Sequence, residues 1–98
     1  MKTFKLIRKW AKVRGIYEKG DPITQYCKLQ EEAGELAKAL LKNNEPEIID
    51  AIGDIVVVLT NLSYQKGYLI EDCINSAYNE IKDRKGKMEN GTFKKEDK

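Results

Sequence analysis

Apolar residues return every three or four positions through most of the chain, separated by lysines and glutamates, and that period predicts helices. The first runs from Thr3, placed to cap it, to about Val13, with Phe4, Ile7, Trp10 and Ala11 along one side. Gly15 and Gly20 bracket its end. A second begins at Asp21-Pro22, an N-cap residue followed by one whose fixed φ suits a first turn. Its apolar stripe reads Ile23, Tyr26, Ala33, Leu36, Ala37 and Leu40, and Asn43-Asn44 ends it. A third starts at Glu45 or Pro46 and continues to Gln65 or Lys66, where Gly67 stops it. Its centre, Ile55-Val56-Val57-Val58-Leu59, has the composition of a strand. The pattern from Ile48 through Leu62 is nevertheless long and free of turn residues, which favours a helix buried on most sides, with another subunit among its neighbours. A fourth spans about Ile70 to Arg84, turns Ile74, Ala77, Tyr78 and Ile81 inward, and stops before Gly86. Asn90-Gly91, between Met88 and Phe93, is a two-residue hairpin signal, followed by a charged, frayed end from Lys94 to Lys98.

These elements imply an all-α, four-helix architecture with a short C-terminal hairpin or tail from about residue 88. With 98 residues there is enough chain for one domain and too little for two that each bury a core. Residues that are 41% hydrophobic and 35% charged suit a soluble protein whose apolar side chains are gathered on helix faces. No apolar run reaches the roughly 18 to 20 residues needed to span a bilayer. The chain also opens on a charge-studded helix rather than a signal peptide, so a cytoplasmic protein with no membrane partner is expected. A net charge of +2 gives no ground for a nucleic-acid partner. Cys27 and Cys73 belong to no metal-binding or redox pattern and read as small buried side chains in a reducing compartment. Histidine is absent, which removes the commonest zinc ligand and the usual neutral-pH proton shuttle together. Chemistry must run on carboxylates, lysines and bound ions.

The carboxylates are clustered. On the second helix, at about 100° per residue, Glu32 and Glu35 point within roughly 60° of each other, and Glu31 and Glu35 within about 40°. The third helix carries Glu47, Asp50 and Asp54 at spacings of three and four. Helical glutamates are ordinarily solvated and paired, and Lys28 with Glu32 or Glu35 with Lys38 would satisfy that reading. It suits the third helix less well, because Asp is a poor mid-helix residue and Asp50 and Asp54 repel at i,i+4. A cation between the two helices would reverse the sign. An all-oxygen donor set without histidine or thiolate selects Mg²⁺, or Mn²⁺, and magnesium usually accompanies phosphate. Asn79, Lys82, Arg84, Lys85 and Lys87, on and beyond the fourth helix, then offer phosphate donors. Taken alone they are a solvated helix end favoured by the helix dipole.

At this point the residues resemble a family. Glu31-Glu32-Ala33-Gly34-Glu35-Leu36 looks like the EExxE signature of MazG-like nucleotide pyrophosphohydrolases, particularly the compact single-domain type of phages and low-GC bacteria. Asp50-Ala51-Ile52-Gly53-Asp54-Ile55 falls where that family carries a second acidic motif, and the likeness continues from Asn79 through Met88. The resemblance implies a four-helix MazG-like bundle, metal-dependent cleavage of nucleoside triphosphates between the α- and β-phosphates, and assembly as homodimers or homotetramers. It departs at one position: the family motif is ExxD, and Ala51 stands three before Asp54. Asp50, or Glu47 one turn earlier, is the substitute on offer.

On this reading Glu32, Glu35, Asp50 and Asp54 hold Mg²⁺, and Glu31 orients or deprotonates the attacking water. Lys82, Arg84 and Lys87 clamp phosphate oxygens, with Asn79 on phosphate or sugar. Trp10 and Tyr17 are candidates to stack on the base, and Gln25 and Lys28 are further candidates for recognising it. Two rivals remain: a helical module that binds nucleotide or metal without cleaving it, favoured by the Ala51 gap, and a nucleic-acid binder using Lys82 to Lys98.

Overall fold

The computed structural model describes residues 1–96. Five helices are followed by a two-stranded ribbon: α1 (Lys2–Val13), α2 (Ile16–Lys19), α3 (Pro22–Lys42), α4 (Glu45–Gln65), α5 (Ile70–Ile81), β1 (Gly86–Glu89) and β2 (Thr92–Lys95). Local chemistry sets most of the boundaries. Asp21 accepts hydrogen bonds from the Thr24 amide at 2.8 Å and its hydroxyl at 3.0 Å, capping α3 ahead of Pro22. Asn43 takes the left-handed conformation (φ 55°) at the end of α3, and Asn44 then caps α4 by accepting from the Glu47 amide. Gly67, at φ 88°, closes α4 with its amide donating to the Tyr64 carbonyl while Tyr68 donates to Ser63, a Schellman turn. Asn90 and Gly91, at φ 51° and 80°, make the type I′ turn that pairs Met88 with Phe93.

α3 and α4 form an antiparallel pair, with α1 laid across α4 and α2 bridging them. The seam of α3 reads Pro22, Gln25, Leu29, Glu32, Leu36 and Ala39, at alternating spacings of three and four. That of α4 reads Ile48, Ala51, Ile55, Val58 and Leu62. Glu32 is therefore a carboxylate in the line of residues that faces the neighbouring helix, and Ala51, 5% exposed, stands in the corresponding line of α4.

Several expectations are corrected. Thr3 does not cap α1, which starts at Lys2 with no side-chain cap. A fifth helix, α2, occupies the stretch after Gly15; it is four residues long and held by tertiary contacts, the Tyr17 hydroxyl donating to Asn61 Oδ1 at 2.6 Å and Gln65 donating to the Ile16 carbonyl. α5 ends at Ile81, not Arg84, because the Arg84 amide turns back onto the Ile81 carbonyl. Of the apolar stripe read on α3 only Leu36 is on the inner side; Ile23, Tyr26 and Leu40 are exposed. Ile74, Ala77, Tyr78 and Ile81 also face solvent, as do Cys27 and Cys73, so neither cysteine is a core residue. α4 is buried along only part of its surface, with Ile49 and Ile52 exposed. Lys94 and Lys95 belong to β2 rather than to a frayed end, and positions 97 and 98 of that segment lie outside the described residues.

Candidate metal and phosphate site

Because Asp21 and Pro22 fix where α3 begins and Asn43-Asn44 fix how the chain returns, the two acidic motifs meet across the helix seam. Glu32, Glu35, Glu47, Asp50, Ala51 and Asp54 line one cavity of about 180 Å³. Glu32 is half-buried there while Glu35, Asp50 and Asp54 are exposed around it. Its pKa is raised above the ordinary glutamate value: loss of solvation contributes most, then the negative charge of Asp54, opposed by Lys28 one turn away and reinforced by Glu35 and a hydrogen bond to Asp54. Part of that shift comes from the two neighbouring carboxylates, and a cation between them would remove this repulsion.

The donor set fits a hard divalent ion in chemistry and in charge. Among the described residues no three acidic groups are already gathered tightly enough to hold one, so ion binding needs rotamer changes of the exposed Glu35, Asp50 or Asp54. Those side chains are free to make them. Among the described residues, Glu47 is the one lining acid with an ion pair, a long one with Lys42 at 3.9 Å.

The remaining sequence candidates are placed elsewhere. Glu31 is exposed on α3 and does not line the cavity. Lys28 is exposed yet close enough to act on Glu32. Asn79 on α5, Lys82 at its end, Arg84 in the following turn and Lys87 on β1 are all exposed, and none lines the acidic cavity of its own chain. Lys87 instead borders a groove along the ribbon with Lys85, Lys94 and Lys95, where Glu89 pairs with Lys87 and Lys94 at 3.7 and 3.9 Å. Trp10 is 46% exposed and carries the Arg14 guanidinium over its ring at 4.5 Å. Tyr17 is committed to Asn61 and packs on the Tyr64 ring, centroids 4.5 Å apart, which marks it as structural. Sequence reasoning missed the clasp between Arg8 and Glu71, two parallel bonds of 2.7 Å joining α1 to α5. No local signal could show a pair 63 residues apart.

A 61-residue stretch is 43% identical to an uncharacterized 18.2 kDa protein in the rep-hol intergenic region of Haemophilus phage HP1 (strain HP1c1). That stretch covers 62% of this chain and 37% of the phage protein, so the chain spans little more than a third of the relative's length. No solved structure matches. The MazG nucleotide pyrophosphohydrolase domain matches residues 21–88, which takes in both acidic motifs, the seam between α3 and α4, all of α5 and most of β1. With its two acid-bearing helices joined in this order and over two thirds of its length matched, the chain belongs to the MazG nucleotide pyrophosphohydrolase domain family.

Proposed function

We propose that this protein is a Mg²⁺-dependent nucleoside triphosphate pyrophosphohydrolase, converting NTP or dNTP to the monophosphate and pyrophosphate. The observation that carries the reading is the shared cavity in which Glu32, on the α3 seam, meets Glu35, Asp50 and Asp54, with loss of solvation and then the Asp54 charge raising the Glu32 pKa. Glu32, Glu35 and Asp54, with Asp50 in place of the acid missing at Ala51, would hold the ion; Mn²⁺ would serve as well. When bound, the ion supplies positive charge to the triphosphate and acidifies water in contact with it. Glu31, next to Glu32 in sequence though outside the cavity lining, would orient or deprotonate the attacking water in this reading. Asn79, Lys82, Arg84 and Lys87 are the phosphate donors of this reading, and because they do not line the acidic cavity of their own chain, they act from a second copy or after α5 swings inward.

Further parts of the reading rest on composition and surface. The 98 residues act as one functional unit in the cytoplasm, a placement favoured by exposed free cysteines and by the fact that no helix of the described residues is long and apolar enough to cross a membrane. Apolar residues left exposed on α3 and α5 favour a homodimer or homotetramer.

Incubating the purified protein with a panel of NTPs and dNTPs and Mg²⁺, then identifying the products, tests the proposal. Monophosphate with pyrophosphate is the expected outcome, and diphosphate with phosphate contradicts it. Binding with no turnover would favour a nucleotide-holding regulatory module, the reading that Ala51 supports. Since loss of a residue merely supporting a metal ligand costs about 10- to 100-fold, Glu35→Gln should lower turnover by more than about a hundredfold with helicity unchanged. Retained turnover would remove Glu35 from the site.

A further inference from the structure

The positive charge of the chain is gathered at α1. Six of the 18 lysines and arginines fall within residues 1–14, where there is no acid, while the other twelve are set against all 16 aspartates and glutamates. A chain of net +2 is therefore a +6 segment on a body of net −4. Of the six, Arg8 is paired with Glu71; Lys2, Lys5, Lys9, Lys12 and Arg14 are exposed and have no ion pair among the described residues. Phe4, Ile7 and Ala11 make the inner side of the helix, the first two lining a second cavity, about 480 Å³, with Gly53, Asp54 and Val57 of α4. Another side carries Leu6, Trp10 and Val13, at spacings of four and three, into water, Leu6 being 59% and Val13 76% exposed. At about 100° per residue these three lie within roughly 60° of one another. Lys9 stands one turn from both Leu6 and Val13, and Lys2 one turn from Leu6. The Arg14 guanidinium covers the Trp10 ring and donates to the Trp10 carbonyl at 3.2 Å, so an indole and a cation are presented together.

We propose that this outer side of α1 docks on the surface of an anionic lipid bilayer, Leu6, Trp10 and Val13 entering the boundary between headgroups and acyl chains and the free lysines meeting the headgroup phosphates. A helix that joins an apolar stripe of Trp and Leu to a lysine-rich remainder lies in the plane of such an interface, and Trp favours the headgroup level. Charge complementarity selects this occupant. A second copy packed on the same face about a two-fold axis would set the unpaired cations against themselves. Nucleic acid would answer the charge and leave the apolar stripe in water. No helix of the described residues is long and apolar enough to cross a membrane, so the contact is with a surface, which an expectation drawn from the length of apolar runs does not address.

Trp10 is the single tryptophan of the chain, and its fluorescence therefore reports on this face alone. Vesicles of equal parts phosphatidylglycerol and phosphatidylcholine should shift its emission to shorter wavelength and carry the protein down on centrifugation, whereas vesicles of phosphatidylcholine alone should do neither. Added salt should weaken the binding, because exposed charges are screened. Lys5→Gln and Lys9→Gln should each weaken it about fivefold, the equivalent of about 1 kcal/mol per cation at an anionic surface. Leu6→Ser, which removes apolar area and no charge, should weaken it about tenfold. All three positions are exposed, so Tm should stay at the wild-type value, and Lys95→Gln, on the basic ribbon, should leave vesicle binding unchanged. Absence of binding to either kind of vesicle would overturn the inference. So would binding that survives Lys9→Gln and Leu6→Ser and is lost in Lys95→Gln. An emission shift produced by concentrating the protein or by duplex DNA, with none from vesicles, would overturn it too, giving the face to a second copy or to nucleic acid.

Discussion

Ala51 stands where the resemblance to an ExxD motif leads one to expect an acid, and its place in the fold bears on what that substitution does. It lies in the α4 seam, 5% exposed, at the floor of the acidic cavity, while Asp50 beside it is exposed at the rim. A glutamate at 51 would add a carboxylate to a space where Glu32 is already resisting ionisation, so without a cation it should be destabilising. Ala51→Glu is expected to cost about 1–3 kcal/mol in EDTA from crowding of the seam, read as a Tm lowered by several degrees. Saturating Mg²⁺ should recover more of that Tm than it adds to the wild type. Turnover equal to or above the wild type would show that Asp50 is a makeshift ligand; a clear loss would show that Asp50 has taken over and that the space at 51 is needed. The same logic exposes what the sequence could reveal of the site. Glu32, Glu35, Asp50 and Asp54 share a cavity as their spacing implied, because helical period and one tight loop suffice to bring them together. That Glu32 alone among the α3 acids lies in the seam, and that Phe4 and Gly53 rather than Trp10 border the aspartates, depends on how α1 crosses α4, which no local pattern encodes.

Among the elements, α5 is the one whose attachment is most conditional. It packs only lightly on α4, and its clearest tie to the rest is the Arg8–Glu71 clasp, with the two side chains 12% and 28% exposed. The Arg8 guanidinium, donating to both oxygens, holds the Glu71 carboxyl at about 2, below its ordinary 4.5. A depressed carboxylate stabilises the fold fully above its unfolded value and stops doing so as pH falls through its folded one. The clasp should therefore be intact above pH 4.5 and weaken progressively toward about 2. Protection factors of α5 amides should fall across that window before those of α3 and α4, and Glu71→Gln should lower α5 protection severalfold at neutral pH and make it insensitive to acid. If α5 and α4 lose protection together in both proteins, the clasp is not what holds α5. Boundaries set by a single residue's chemistry were legible beforehand: Asp21 and Pro22 at the start of α3, Asn43 and Asn44 between the long helices, Gly67 at the stop, Asn90 and Gly91 in the ribbon turn. α2 was not, since four residues have no periodicity and theirs is fixed by Tyr17, Asn61 and Gln65 across the fold. Nor was the inward side of α3, because that helix carries two interleaved apolar lines and only contact with α4 chooses between them.

The unchosen line bears on the whole molecule. The radius of gyration is 16.1 Å, against about 13 Å for a compact domain of this length, and the extents are 45 × 34 × 26 Å. Among the described residues the buried hydrophobic side chains are few, Ala11, Ala39, Ala51, Val58 and Ile70, and three of the five are alanines. Meanwhile Ile23, Tyr26, Leu40 and Leu41 on α3 and Ile74, Tyr78 and Ile81 on α5 each leave about half or more of their surface in solvent. A chain that buries so little of its apolar surface by itself gains most of its stability from what covers the rest, and a second copy offers the same stripes in return. Sedimentation equilibrium should give a mass two or four times the 11.3 kDa of the chain. The Tm should rise with protein concentration, as mass action requires when folding and association are linked. Leu40→Asp, on the outer line of α3 and away from both cavities, should shift the mass toward the monomer and remove the concentration dependence. A monomer at micromolar concentration with a Tm independent of dilution would mean that the exposed stripes are tolerated in water, and the phosphate donors of α5 and β1 would then have to reach the carboxylates of their own chain.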